Sequence, residues 1–285
     1  MKLSMFRQHL QAAMIVAGLS KKEAALFARQ LAEDRKPRDL KMETDGKSAE
    51  ILIYDVIGAT WDGGILSKDF VEQLAALGDV DNITVRINSP GGNVFEGIAI
   101  YNALKTHPAT INVQVDSLAA SIASVIAMAG DAISISDTAM VMIHNPATFA
   151  YGDENDFRDI ADLLSKIRGA QLLGAYARTG KTPDELIAYM DVETWFTAQE
   201  AVDAGFADKI LDSGTKTPAG AEERFDLSGF RNVPNSVKEA YSGMKKQPEN
   251  AIKTPENSRN EEEFQQKALI AAQARNRNLS LAEVR

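Results

Sequence analysis

Two side chains in this sequence have the types and settings to do covalent chemistry together. Ser121 sits in "VDSLAASIASVIAMAG" (115–130), and His144 sits in "MIHNP" (142–146). A serine hydroxyl attacks poorly until a base within hydrogen-bond reach takes its proton, and that base needs an orienting acceptor of its own. Alanines at 119, 120 and 123 leave room for a second chain or a substrate carbonyl to approach the hydroxyl. A small-residue packing helix whose serine bonds its own backbone would have the same composition. The stretch "SPGGN" (89–93) adds a third element. Its glycines reach backbone angles closed to other residues and can turn N–H groups toward an anion. Asn93 also reads as a helix N-cap with Glu96 closing a capping box, a role compatible with an anion site. The chemistry these parts would support is acyl transfer: hydroxyl attack on a carbonyl, with main-chain N–H groups holding the developing oxyanion.

The bulk composition narrows the field. The chain has 285 residues, a formal charge of −9 and no basic stripe or aromatic-interleaved basic cluster, which argues against a nucleic-acid partner. Without cysteine there are no disulfides, thiol nucleophiles or zinc-thiolate sites, and a reducing compartment fits. No apolar run approaches the roughly 18 to 20 residues of a membrane span. In "MKLSMFRQHLQAAMIVAGLS", Arg7, Gln8 and His9 interrupt what would otherwise resemble a leader, so an amphipathic helix is expected. His9 falls in that segment. His107 follows a helix end, where a cation suits the dipole. Neither needs a catalytic explanation.

The elements that must position Ser121 and His144 read as alternating strands and helices. Helical spacing over 3–17 and a capping box "SKKE" (20–23) predict two N-terminal helices, followed by a polar linker over 34–50. Strands are expected at "ILIYDVI" (51–57), "ITVRIN" (83–88), "INVQV" (111–115), "AISIS" (132–136), "AMVMIH" (139–144) and "FADKIL" (206–211). Helices are expected near 67–77, 93–106, 120–129 and 153–178, and after "TPDE" (182–185) and "TAQE" (197–200). This alternation predicts βαβ units around a mainly parallel sheet. Beyond residue 214 the chain turns polar. The run "KKQPENAIKTPENSRNEEE" (245–263) reads as disordered, with a short helix expected over 261–277.

Taken in order, "INSPGG", "AAS", "MIHNP" and "ETWFTAQEAVDAGFADKI" resemble the ClpP peptidase family, and most of all its phage branch, the prohead or head-maturation proteases. The resemblance covers about residues 48–213. It divides the chain into a helical N-terminal extension with linker (1–47), a ClpP-like serine protease domain (48–213) and a polar C-terminal tail (214–285). The fold it implies is α/β and ClpP/crotonase-like, with a mainly parallel sheet and flanking helices. It implies Ser121 as nucleophile, His144 as general base, and an oxyanion hole from the N–H groups of Gly92 and Ile122. The family's acid falls on Glu193, where aspartate is usual; Asp191, two residues earlier, is the alternative. Ala123 stands where the family usually has glycine.

The resemblance further implies a ring or stacked-ring homo-oligomer, in which the 153–178 helix is the element through which facing rings pack; its apolar residues fit internal core equally well. No metal or organic cofactor is implied. Capsid or scaffold proteins would be the substrates, in the cytoplasm of a bacterial host, with an unfoldase as a further possible partner. The tail over 215–285 is expected to be a scaffold-like or self-cleaved extension. Three other readings are compatible with parts of the sequence: a crotonase-type acyl-CoA enzyme, a Ser-Lys peptidase using Lys166, and an assembly protein with a degenerate protease domain.

Overall fold

Every second residue of Ser48–Ile53 is apolar, so Ala49, Ile51 and Ile53 turn inward together, the period-two pattern that makes a half-buried strand. The computed structural model describes residues 41–60, 63–211, 225, 227–235 and 237–238. The expected N-terminal helices and the 261–277 helix lie outside them. Residues Lys41–Asp45, read from the sequence as part of a polar linker, form strand β1 instead, paired antiparallel with β2 (Ser48–Ile53). Their polarity reflects an edge position in the sheet, which side-chain composition alone does not separate from a loop.

The following elements alternate as expected. Helix α1 (Ser67–Ala76) buries Phe70 and Leu74, and β3 (Asn82–Ser89) is buried on both faces from Val85 onward. Helix α2 (Val94–Lys105) is capped by Asn93, whose side chain accepts from the N–H groups of Phe95 and Glu96. Strand β4 (Thr110–Ala120) is followed by α3 (Ile122–Ala127), in which all six residues are buried. Strands β5 (Ala132–Ser136) and β6 (Met140–Ile143) come next. The sheet has eight strands in the order β1-β2-β3-β4-β5-β8, with β6 and β7 attached through β4. It is mostly parallel; only the β1–β2 and β6–β7 pairs are antiparallel.

Strand β4 positions the site. Its first half pairs with β3 and β5, while Leu118–Ala120 pair with β6. The sheet therefore forks at the carboxyl end of β4, where open α/β sheets form crevices. Across the fork the β3–β4 register shifts between Ile87/Val115 and Ser89/Ala119. Buried Asp116 lies in the shifted stretch, gripped by both Nε and Nη2 of Arg86 at 2.8 Å and by Gln114 Nε2 at 2.7 Å, with the Tyr54 hydroxyl also bonded to it.

The single long helix expected over 153–178 is broken. Helix α4 (Glu154–Ile167) gives way to a π-helical turn at Arg168–Leu172, a short α5 (Leu173–Tyr176) and a 3₁₀ turn at Ala177–Thr179. A short turn of different period inside a long apolar pattern is easily read as continuous α-helix. Within α4 only Ile167 is buried, and Phe157 and Leu163 are half exposed; Leu172, Ala175 and Tyr176 enter the core. Helix α6 (Pro183–Asp191), β7 (Thr194–Thr197), α7 (Ala198–Asp203) and β8 (Lys209–Leu211) complete the sheet. Strand β7 lies inside the motif "ETWFTAQEA", where no strand is expected from the sequence.

Residues 225–238 depart most from expectation. They were read as part of a polar tail outside the catalytic core, yet Phe225, Leu227, Val233 and Val237 are buried within the same compact unit as the sheet. Four apolar residues spread among polar ones do not stand out in the composition.

Helices α2 and α3 meet at Gly97, where an added Cβ would lie 2.2 Å from Cγ1 of Ile122, the residue after Ser121. Gly97→Val is expected to destabilise the fold by about 1–3 kcal/mol through overpacking, measured as a lower midpoint in chemical denaturation.

Candidate active site

Ser121 stands between β4 and α3 with φ 55° and ψ −127°, outside the conformations that L-residues normally adopt. Two contacts hold it there. Its N–H donates to the Met142 carbonyl of β6 (2.9 Å), and its own carbonyl accepts from the Ser124 hydroxyl (2.5 Å). Ser124 is fully buried and also bonds the Tyr176 hydroxyl (2.8 Å), tying the Ser121 turn to α5. The bend leaves the Ser121 side chain partly exposed at the fork.

His144 follows β6 immediately, and β6 pairs with the last residues of β4. Neighbouring strands thus deliver serine and histidine side by side: Oγ of Ser121 and Nε2 of His144 are 2.8 Å apart. With the imidazole neutral and its proton on Nδ1, the hydroxyl donates to Nε2, the geometry for proton abstraction. Burial lowers the pKa of His144 below the ordinary 6.5, Glu193 pulls it back up, and Arg231 pushes it further down. A lowered value keeps the ring in its basic form at neutral pH. The other described histidine, His107, accepts the Ala109 N–H at Nδ1, a local structural role.

The glycine turn is clamped against the same spot. The Ile57 N–H donates to the Gly91 carbonyl and the Ile57 carbonyl accepts from Asn93 N–H, both at 2.7 Å. Ser89 Oγ donates to the Asp55 carbonyl (2.7 Å) and accepts the Gly91 N–H (3.1 Å). Gly91, at φ 89°, passes so close that a Cβ would lie 2.7 Å from Ser121 Cβ and 3.0 Å from Ile122 N. With Ile57 occupying the groups on either side, the N–H of Gly92 has no acceptor among the described residues. Neither has that of Ile122, at the first position of α3. Unpaired main-chain N–H groups near a serine hydroxyl are of the kind that can hold an oxyanion.

The two carboxylates separate. Asp191, at the end of α6, accepts from Asn145 Nδ2 (2.7 Å) and lies 3.4 Å from the Arg168 guanidinium. It is not among the charges that act on His144. Glu193 is buried, at φ 53°, and does act on the imidazole. No hydrogen bond joins the two. The Glu193 oxygens accept instead from Trp195 Nε1 (3.2 Å) and from the main-chain N–H groups of Arg231 (3.0 Å) and Asn232 (2.8 Å). Lys166 lies exposed on α4.

Comparison with known proteins gives the family. The Clp protease family matches residues 50–214, more than half of the chain. The chain belongs to the Clp protease family. It is 35% identical over 149 residues to "ATP-dependent Clp protease proteolytic subunit 1" of Leifsonia xyli subsp. xyli, covering 52% of this chain and 76% of that one. It is 34% identical over 154 residues to subunit 2 of Thermobifida fusca, covering 53% and 70%. It is also 33% identical over 144 residues to the proteolytic subunit of Bacteroides fragilis strain ATCC 25285, covering 49% and 70%. The chain is accordingly a serine-type endopeptidase. The acyl-CoA and degenerate-scaffold readings are not favoured.

Sequence reading missed the Ile57 clamp, the Ser124–Tyr176 pair and the 225–238 segment. The first two are contacts between residues far apart in the chain, for which the sequence carries no local signal. Ser124→Ala would leave the Tyr176 hydroxyl buried without its partner, at a cost of about 1–3 kcal/mol. Tyr176→Phe leaves Ser124 still bonded to Ser121 and is expected to cost less. Denaturant titration of both variants checks the order.

Proposed function

We propose that this peptidase cleaves peptide bonds with Ser121 as nucleophile, His144 as general base and Glu193, rather than Asp191, as the acid that stabilises the imidazolium. The 2.8 Å Ser121–His144 contact beside two unsatisfied N–H groups carries this reading. As Oγ bonds to the scissile carbon, its proton passes to Nε2 and the carbonyl oxygen becomes an oxyanion held by the N–H groups of Gly92 and Ile122. The C–N bond then breaks as Nε2 returns the proton to the leaving amine, leaving an acyl-serine. Water, deprotonated by the same nitrogen, releases the acid and restores the hydroxyl. No metal or organic cofactor takes part in these steps.

Members of this family form ring homo-oligomers and often work with an unfoldase. For this chain we propose a ring or stacked ring, because α4 carries half-exposed Phe157 and Leu163 that a partner's surface would cover. Motif resemblance to the phage branch supports capsid or scaffold proteins as substrates during prohead maturation. The host cytoplasm is the compartment in keeping with that setting. Among the described residues, no helix is long and apolar enough to cross a membrane.

Ser121→Ala is expected to reduce hydrolysis of a denatured casein substrate to background and to abolish labelling by a fluorophosphonate probe. His144→Ala is expected to lose about 10²–10⁴-fold or more. Because burial lowers the His144 pKa, activity is retained as pH falls until the ring protonates, so the acidic limb of kcat/KM lies below pH 6.5. A limb above that value contradicts the assigned base. In cells co-expressing a capsid or scaffold protein, Ser121→Ala is expected to leave that protein uncut and the assembly size unchanged; equal processing by both forms contradicts the capsid role.

A further inference from the structure

The family match ends at residue 214, yet the groups packed closest around His144 and Glu193 include residues beyond it. The Phe230 ring meets the His144 imidazole edge-on, with centroids 5.5 Å apart and planes at 68°. The same ring meets Trp195 of β7 at 5.8 Å and 85°. The next two residues donate their main-chain N–H groups to the two Glu193 oxygens. We propose that residues 225–238 are a working part of the active site, in which Phe230 is a positioning residue for the His144 imidazole and the Arg231–Asn232 main chain is the mount of Glu193. The inference rests on the peptidase reading above and adds to it residues that lie outside the family match.

The segment is built to stay in place. Phe225 and Leu227 on one side, and Val233 and Val237 on the other, are buried and bracket the contact residues. Phe230 N–H donates to the Leu227 carbonyl (3.1 Å), turning the chain so that the ring meets His144. Asn232 Nδ2 donates to the Val192 carbonyl (2.6 Å), locking the segment to the residue before Glu193. Ser121 and His144 nevertheless remain partly exposed, so the segment flanks the pair and does not seal it.

The physical need is specific. An imidazole that must take a proton from Oγ and return it to a leaving amine works only within a narrow range of ring orientations. Aromatic edge-to-face contact restricts that range and sheds water from one side of the ring. A buried carboxylate must be held by donors if it is to stay charged. The charged groups acting on His144 are Glu193 and Arg231, and replacement of Phe230 alters neither.

The test uses the full chain with casein hydrolysis, a pH profile and fluorophosphonate labelling. Phe230→Ala is expected to lower kcat about tenfold, with KM within about twofold. It is also expected to move the acidic limb upward, because the imidazole gains water; Phe230→Tyr, which keeps the ring, restores both. Asn232→Ala, which frees Val192 and loosens the mount of Glu193, is expected to lower kcat in the same sense. It carries the test if Phe230→Ala does not fold. Unchanged kcat and limb in these variants overturn the proposal, as does a rise in activity, which would mark the segment as a cover. Wild-type protein that neither hydrolyses nor labels at Ser121 overturns the peptidase reading itself, and this proposal with it.

Discussion

A serine at φ 55° and ψ −127° does not keep that conformation unaided; a residue so placed costs on the order of 1–3 kcal/mol and persists only when its surroundings over-determine it. Here β6 holds its N–H, Ser124 holds its carbonyl, and the Gly91 main chain presses against its Cβ. Each restraint belongs to a different part of the fold. The fork in β4 exists so that β6 can reach the turn, the glycine loop closes because Ile57 pins it, and α3 starts where the bend releases its N–H groups. The Ser121–His144 contact and the close approach of the glycine loop both meet at one bend in the main chain.

Much of this was legible in the sequence because it is local. Apolar runs marked β2, β3, β5 and β6 to within a few positions, whereas β4, expected over 111–115, runs on to Ala120; capping residues marked the starts of α2, α6 and α7. Ser121 and His144 stood out because small residues and a strand end surround them. The acid was harder to read. Asp191 and Glu193 are two positions apart, and only the turn between α6 and β7 sends one toward Asn145 and the other toward the imidazole.

The features that escaped the sequence share a physical cause. Polar β1 is a strand because its main chain pairs at a sheet edge, and no side chain reports that pairing. The break after α4 shows in the sequence only as one five-residue step, from Ile167 to Leu172, between apolar positions. The 225–238 segment hides its four buried apolar residues among polar ones, and its hydrogen bonds to Val192 and Glu193 reach back about forty residues. Long-range contact, more than composition, decides such cases.

Among the described residues, Ser121 and Glu193 are the only non-glycine positions with positive φ. Glycine would relax the backbone at either place, so a random drift toward sturdier folding would favour it at both. A chain that followed that drift would gain heat resistance and lose its hydroxyl or its carboxylate. With side chains at both positions, this protein is somewhat less robust than its architecture permits.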